Sequence, residues 1–158
     1  MMKRLFADPT GNSTVELAII MPVLVLLTCM AGDVAMAFKA KIGLQRAAER
    51  TAQLAAVGGY TNDTTKTQAA YNNLAADAAA AGGVSTSNVT VTPTLLCDAT
   101  VQTASPEVPC ADGQQTKRYV AIAISGTYKP MFAKLMPGSS KWSSQGIALT
   151  GSSSVRLQ

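Results

Sequence analysis

The sequence predicts an α+β fold: a long N-terminal membrane-spanning helix that continues into a small extracytoplasmic domain with a second helix and a roughly three-stranded antiparallel sheet. Three observations carry this expectation. One apolar run stands near the N-terminus, helical periodicity persists beyond it, and the C-terminal half holds short stretches in which apolar and polar residues alternate. A chain of 158 residues has room for one domain beside a membrane segment but not for two. Hydrophobic residues make up 47% and charged residues 14%, against about 25% charged in an average soluble domain, which excludes a disordered or highly charged soluble chain.

The membrane segment comes first. From Leu17 to Gly32 the chain reads LAIIMPVLVLLTCMAG, with Thr28 its only polar side chain, and after Asp33 it resumes as Val34-Ala35-Met36-Ala37-Phe38. Residues 17–38 would form about 33 Å of helix, close to the hydrocarbon thickness of a bilayer. The alternatives fail, because Leu74–Gly83 is interrupted by Asp77 and Tyr119–Ile124 is too short. Pro22 removes the hydrogen bond to the Ala18 carbonyl, so a kink or local melting is expected there. Lys3 and Arg4 precede the segment and Lys39 and Lys41 follow it, so flanking charge leaves the orientation undecided. Cys97 and Cys110 lie in a stretch rich in Ser, Thr, Pro and Gly. Read as a disulfide, they place the C-terminal part in an oxidising compartment outside the membrane; two unpaired thiols are the other reading. Cys29, within the apolar run, reads as a small buried hydrophobe.

The helical period continues through KAKIGLQRAAERTAQLAAV. Ala40, Leu44, Ala47, Ala48, Thr51 and Ala55 form one stripe, with Lys39, Arg46, Glu49, Arg50 and Gln53 opposite. A helix reaching Val57 and stopped by Gly58-Gly59 would be roughly 64 Å long. Its alanine stripe suits close packing on its own domain, with partner helices as a further use of the same side. A second helix is expected over Thr64–Ala81, stopped by Gly82-Gly83, with Lys66, Gln68, Asn72 and Asp77 on its polar face. Strands follow at Val89–Leu95, Tyr119–Tyr128 and Gly146–Val155, and Pro93 confines the first to an edge. The bulky apolar cluster from Pro130 to Met136, with Trp142 beyond, reads as core rather than contact surface.

Catalytic signals are missing. There is no histidine, which removes the commonest general base and metal ligand. No phosphate-binding glycine loop, metal-spaced cluster or nucleophile elbow occurs, so no cofactor and no metal is expected. The net charge of +4 comes from Lys and Arg scattered along the chain, not from a basic patch, which argues against nucleic acid as a partner.

The N-terminal motif carries the functional reading. The polar stretch MMKRLFADPTG ends at Gly11 and is followed by NSTVELAIIMPVLVLL. This resembles the class III signal peptide of type IV pilin-like proteins, where a prepilin peptidase cuts after the glycine and a glutamate lies five residues on. More narrowly, GNSTVELAIIMPVLVLLTCMAGDVAMAF is similar to the start of TadE-like pseudopilins of tight adherence (Tad/Flp) pilus systems. Glu16, Pro22 and Asp33 fall on that pattern, whereas Leu17 stands where many relatives have Phe or Tyr. GIALTGSSSVRL also resembles their closing strand. A glycine before the cut leaves the backbone unhindered for the protease. Glu16 has a structural reading too, since Ser13-x-x-Glu16 is a capping box.

The resemblance implies a prepilin-type leader at 1–11, cut between Gly11 and Asn12, a helix at 12–57 and a pilin-like extracytoplasmic α+β domain at 58–158. It implies a minor pilin that is a substrate of a peptidase and not an enzyme, and that acts in assembly or priming of the pilus by packing its N-terminal helix with other pilins. The implied partners are other pilins and pseudopilins, the prepilin peptidase and the inner-membrane assembly platform. The implied location is the bacterial inner membrane, with the C-terminal domain in the periplasm or outside. Assembly would rest on Glu16, Pro22 and Asp33, and a Glu16 buried among packed helices would require a cation, which the α-amino group of Asn12 would supply. The competing interpretation is a single-pass membrane-anchored or secreted binding domain left uncut at Gly11. Ala35-Met36-Ala37 would suit an ordinary signal peptidase, but the stretch before the apolar run is then too long.

Overall fold

A computed structural model of the chain describes residues 12–57, 64–102, 110–132 and 145–157, with side chains described except at 12, 13 and 64–71. The elements are α1 (Asn12–Val57), α2 (Thr64–Gly82), a 3-10 turn at Thr86–Asn88, and strands β1 (Val89–Cys97), β2 (Thr100–Val101), β3 (Thr116–Tyr128) and β4 (Ile147–Arg156). The fold is α+β, with an antiparallel sheet in the order β2-β1-β3-β4.

The sheet has four strands where hydrophobic alternation suggests about three. The addition, β2, pairs Val101 with Leu96 and Thr100 with Cys97. It follows a two-residue turn in which Asp98 and Ala99 have φ of 49° and 71°. Two successive positive φ values mark a type I′ turn, whose twist matches that of the strands it joins. Such turns are usually announced by Asn-Gly or Asp-Gly, and alanine is a poor left-handed residue, so Asp98-Ala99 gives little sign of one. Because β2 reaches only Leu96 and Cys97, β1 is a sheet edge at Pro93, as a residue without an N–H requires.

The chain divides into two compact units, Met1–Ala37 with Lys129–Gly146, and Phe38–Tyr128 with Ile147–Gln158. The second holds the core. Along β3, Val120, Ile122 and Ile124 are fully buried and Ala121, Ala123 and Ser125 are exposed, the period of a sheet with one dry face. Strand register aligns Val91 with Ile122, Val89 with Ile124, and Val155 with Val120 on that face. Leu44, Ala47, Ala48 and Ala52 of α1 and Ala78 of α2 cover it. The buried stripe of α1 follows its predicted period from Leu44 to Ala55, with Ala52 added and Ala40 only partly buried, and Lys39, Arg46, Glu49, Arg50 and Gln53 are exposed on the other side.

Small residues allow α1 to approach the sheet closely. A Cβ at Gly151 of β4 would lie 2.5 Å from the Leu44 carbonyl carbon and 2.6 Å from the Gln45 nitrogen. Beside this contact, Gln45 donates from Nε2 to the Ser152 carbonyl at 3.0 Å and accepts the Ser152 N–H at Oε1 at 3.1 Å. Thr51, fully buried, donates to Asp77 of α2 at 3.3 Å, and Arg50 reaches the same carboxylate at 4.0 Å. Asp77 is thus partly buried against α1, while Asn72 is exposed on the predicted polar face. The side chains of Lys66 and Gln68 and the Gly58-Gly59 stop lie outside the described residues.

Helix α2 ends at the predicted glycines. Gly83 takes φ of 64°, Val84 N–H donates to the Ala79 carbonyl at 3.0 Å and Gly83 N–H to the Ala80 carbonyl at 3.4 Å, the two bonds of a Schellman cap. At the far end of β1, Cys97 is joined to Cys110 by a disulfide with Cα atoms 5.6 Å apart. Asp98 reinforces this end, its N–H donating to the Gln115 carbonyl at 3.0 Å and its carboxylate accepting the Gln115 N–H at 2.8 Å.

Candidate functional site

The N-terminal part of α1 has the surface of a helix made for an apolar medium. Val15, Leu17, Ile19, Ile20, Met21, Val23 and others up to Met36 are exposed, and only the stripe of Leu26, Cys29, Met30, Asp33 and Ala37 is partly covered. A helix apolar all round belongs in a protein interior or a bilayer, and none of this stretch is buried within the molecule, which makes it a candidate membrane span. The hydroxyl of Thr28 donates to the Val25 carbonyl at 2.8 Å, so its proton is taken up within the helix. Cys29 is partly buried and forms no disulfide.

Helix α1 is unbroken through Pro22, so the local melting expected there does not occur. Proline is tolerated inside helices in apolar surroundings, where neighbouring groups take up the freed carbonyl. The helix already includes Asn12. This puts Ser13 inside the helix, where it cannot serve as the N-cap of a capping box, since an N-cap residue has non-helical backbone angles. Glu16 lies on the exposed surface of the helix. Gly11 lies outside the described residues.

Asp33 has a geometry that sequence gives no hint of. Its Oδ1 accepts the N–H of Met131 at 2.8 Å and its Oδ2 accepts the N–H of Phe132 at 2.8 Å. Both oxygens thus meet successive backbone donors of one bend that immediately follows the buried Pro130. Bonds donated to an ionised carboxylate are the strong kind, so one side chain fixes this segment to the helix. The two apolar side chains are not core, as the cluster reading expected: Met131 is 68% exposed and Phe132 38%. The rest of that cluster, Ala133 to Trp142, lies outside the described residues.

The predicted site residues are therefore not gathered in one cleft. Glu16 and Asp33 stand 17 positions apart on one helix, about 25 Å, and the cysteines close the end of the sheet in the other unit. Among the described residues no group of three His, Cys, Asp or Glu side chains could hold a metal ion.

A family model described as "TadE-like protein" matches residues 11–53, which spans the candidate membrane segment and most of the alanine stripe. No curated protein and no solved structure matches the chain.

Proposed function

We propose, from the likeness of residues 11–53 to TadE-like proteins, that the chain acts in assembly or priming of a Tad pilus, as a minor pilin that packs its N-terminal helix with other pilins. The observation that carries this is the span of the family match, which begins at Gly11 and runs through Glu16, Pro22 and Asp33. In this reading a prepilin peptidase cuts between Gly11 and Asn12. The helix then sits in the bacterial inner membrane beside the assembly platform, with the sheet domain on the periplasmic or outer side. The Cys97–Cys110 disulfide supports that orientation, because such bonds persist in oxidising compartments.

Glu16 is the residue on which the assembly step turns. On an isolated helix its carboxylate is exposed, but helices packing side by side would remove it from water, and an unpaired buried carboxylate is costly. Cleavage after Gly11 creates a cation at the right end of the helix, the α-amino group of Asn12, in the same subunit or a neighbour. Mass spectrometry of the protein from its native host tests the cut: the mature N-terminus is Asn12. A chain beginning at Phe38 would instead mark an ordinary signal peptide and a secreted domain. Glu16→Gln tests the pairing, since the amide keeps shape and loses charge. The variant should insert and be cleaved yet fail to co-purify with partner pilins or support piliation, and normal pili would remove Glu16 from the mechanism.

A further inference from the structure

We propose that the segment Lys129–Phe132 is a second membrane contact, in which Met131 and Phe132 enter the acyl-chain boundary of the bilayer at the level at which Asp33 holds them. The proposal rests on α1 being a membrane span. The hydrogen bonds from Met131 and Phe132 fix the height of the segment at residue 33 of the helix. Beyond that point Val34, Ala35, Met36, Ala37 and Phe38 continue the apolar stretch before the first basic residue, Lys39. Five apolar residues rise about 7.5 Å along a helix, which places the bend below the boundary the helix itself defines.

Irregular backbone is tolerated at such a depth only when its polar groups have partners. The N–H groups from Pro130 to Phe132 satisfy their part of this condition, because Pro130 has none and those of Met131 and Phe132 are both taken by the Asp33 carboxylate. The same bonds answer a second question, why an acidic residue is placed within an otherwise apolar run, since a carboxylate near lipid is costly without donors. The side chains have the chemistry of the interface: Met131 and Phe132 expose apolar surface, and the exposed Lys129 beside them can extend its amine towards lipid phosphates.

Depth-dependent quenching tests this on the full chain in phosphatidylcholine and phosphatidylglycerol vesicles. In a Cys29→Ala background, with the Cys97–Cys110 disulfide intact, an environment-sensitive fluorophore is attached at Phe132→Cys and, separately, at Val25→Cys. The label at 132 should emit to the blue, be quenched by nitroxides high on the acyl chains and resist aqueous iodide, while the label at 25 is quenched by nitroxides near the bilayer centre. Asp33→Asn, which leaves one N–H without a carboxylate oxygen, should shift the label at 132 towards water and leave that at 25 unchanged. A water-exposed label at 132 with a deep label at 25 overturns the proposal and leaves the membrane span standing. Exposure of both labels to iodide overturns both.

Discussion

From Val15 to Phe38 helix α1 exposes leucine, isoleucine, valine and methionine side chains, whereas from Leu44 to Ala55 it buries Leu44, four alanines and Thr51 almost completely. The larger apolar side chains are the exposed ones. In water this order would be reversed, because transfer free energy grows with apolar area. The inversion fits a candidate membrane span in the first part, while the second part meets a sheet at a distance that only small side chains permit. Alanine there contributes little area per residue and gains closeness instead, so the second part depends on fit more than on hydrophobicity.

The largest test of that contrast is a pair of glycines. Gly151→Val would drive a side chain into the backbone of Leu44 and should lower the stability of the sheet domain by about 3 to 4 kcal/mol, read by urea unfolding followed by circular dichroism in detergent. Gly32→Val, with nothing within 4 Å of the added Cβ, should leave that transition unchanged. Equal effects at the two sites would break the comparison.

Next comes the staple. Replacing Cys97 and Cys110 together by serine opens the disulfide, and loop entropy sets the expected loss at about 3 kcal/mol, seen as a lower urea midpoint. Cys29→Ala, in the part of α1 built for lipid, should not move the midpoint. A smaller effect is expected from Ala48→Leu at a fully buried position, where overpacking should cost about 2 kcal/mol in the same assay. Ala35→Leu, exposed on the membrane side, should cost nothing. The smallest effect has the opposite sign. Ala99 sits at φ of 71°, and Ala99→Gly should raise stability by at most about 1 kcal/mol, since relief of left-handed strain is partly offset by a freer unfolded chain.

Periodicity made most of the fold legible. The buried stripe of α1, the alternation of Val120, Ile122 and Ile124 and the double-glycine stop of α2 all follow from local rules. What escaped is of another kind. Strand β2 rests on a turn whose residues carry no turn signal, and Gly151 looks like any strand glycine until the helix above it is seen. The Met131 and Phe132 partners of Asp33 are 98 and 99 positions away, and the Ser152 partner of Gln45 is 107. A hydrogen bond between a side chain and a distant backbone leaves no period, no spacing and no compositional trace. Asp33 was identifiable as a motif position and Gln45 not at all, because one glutamine on a helix bordered by charged residues resembles many others.

Gln45 also bears on how copies of the chain avoid one another. Strand β4 is a margin of the sheet, paired on one side with β3, and a bare margin is a template on which a second molecule can stack and seed aggregates. The amide of Gln45 already occupies the N–H and the carbonyl of Ser152, so an incoming strand would have to break both bonds before gaining either. Its interposition makes α1 a guard for β4. In the pilin role proposed above, that guard would favour association through helices and disfavour fusion of the sheets.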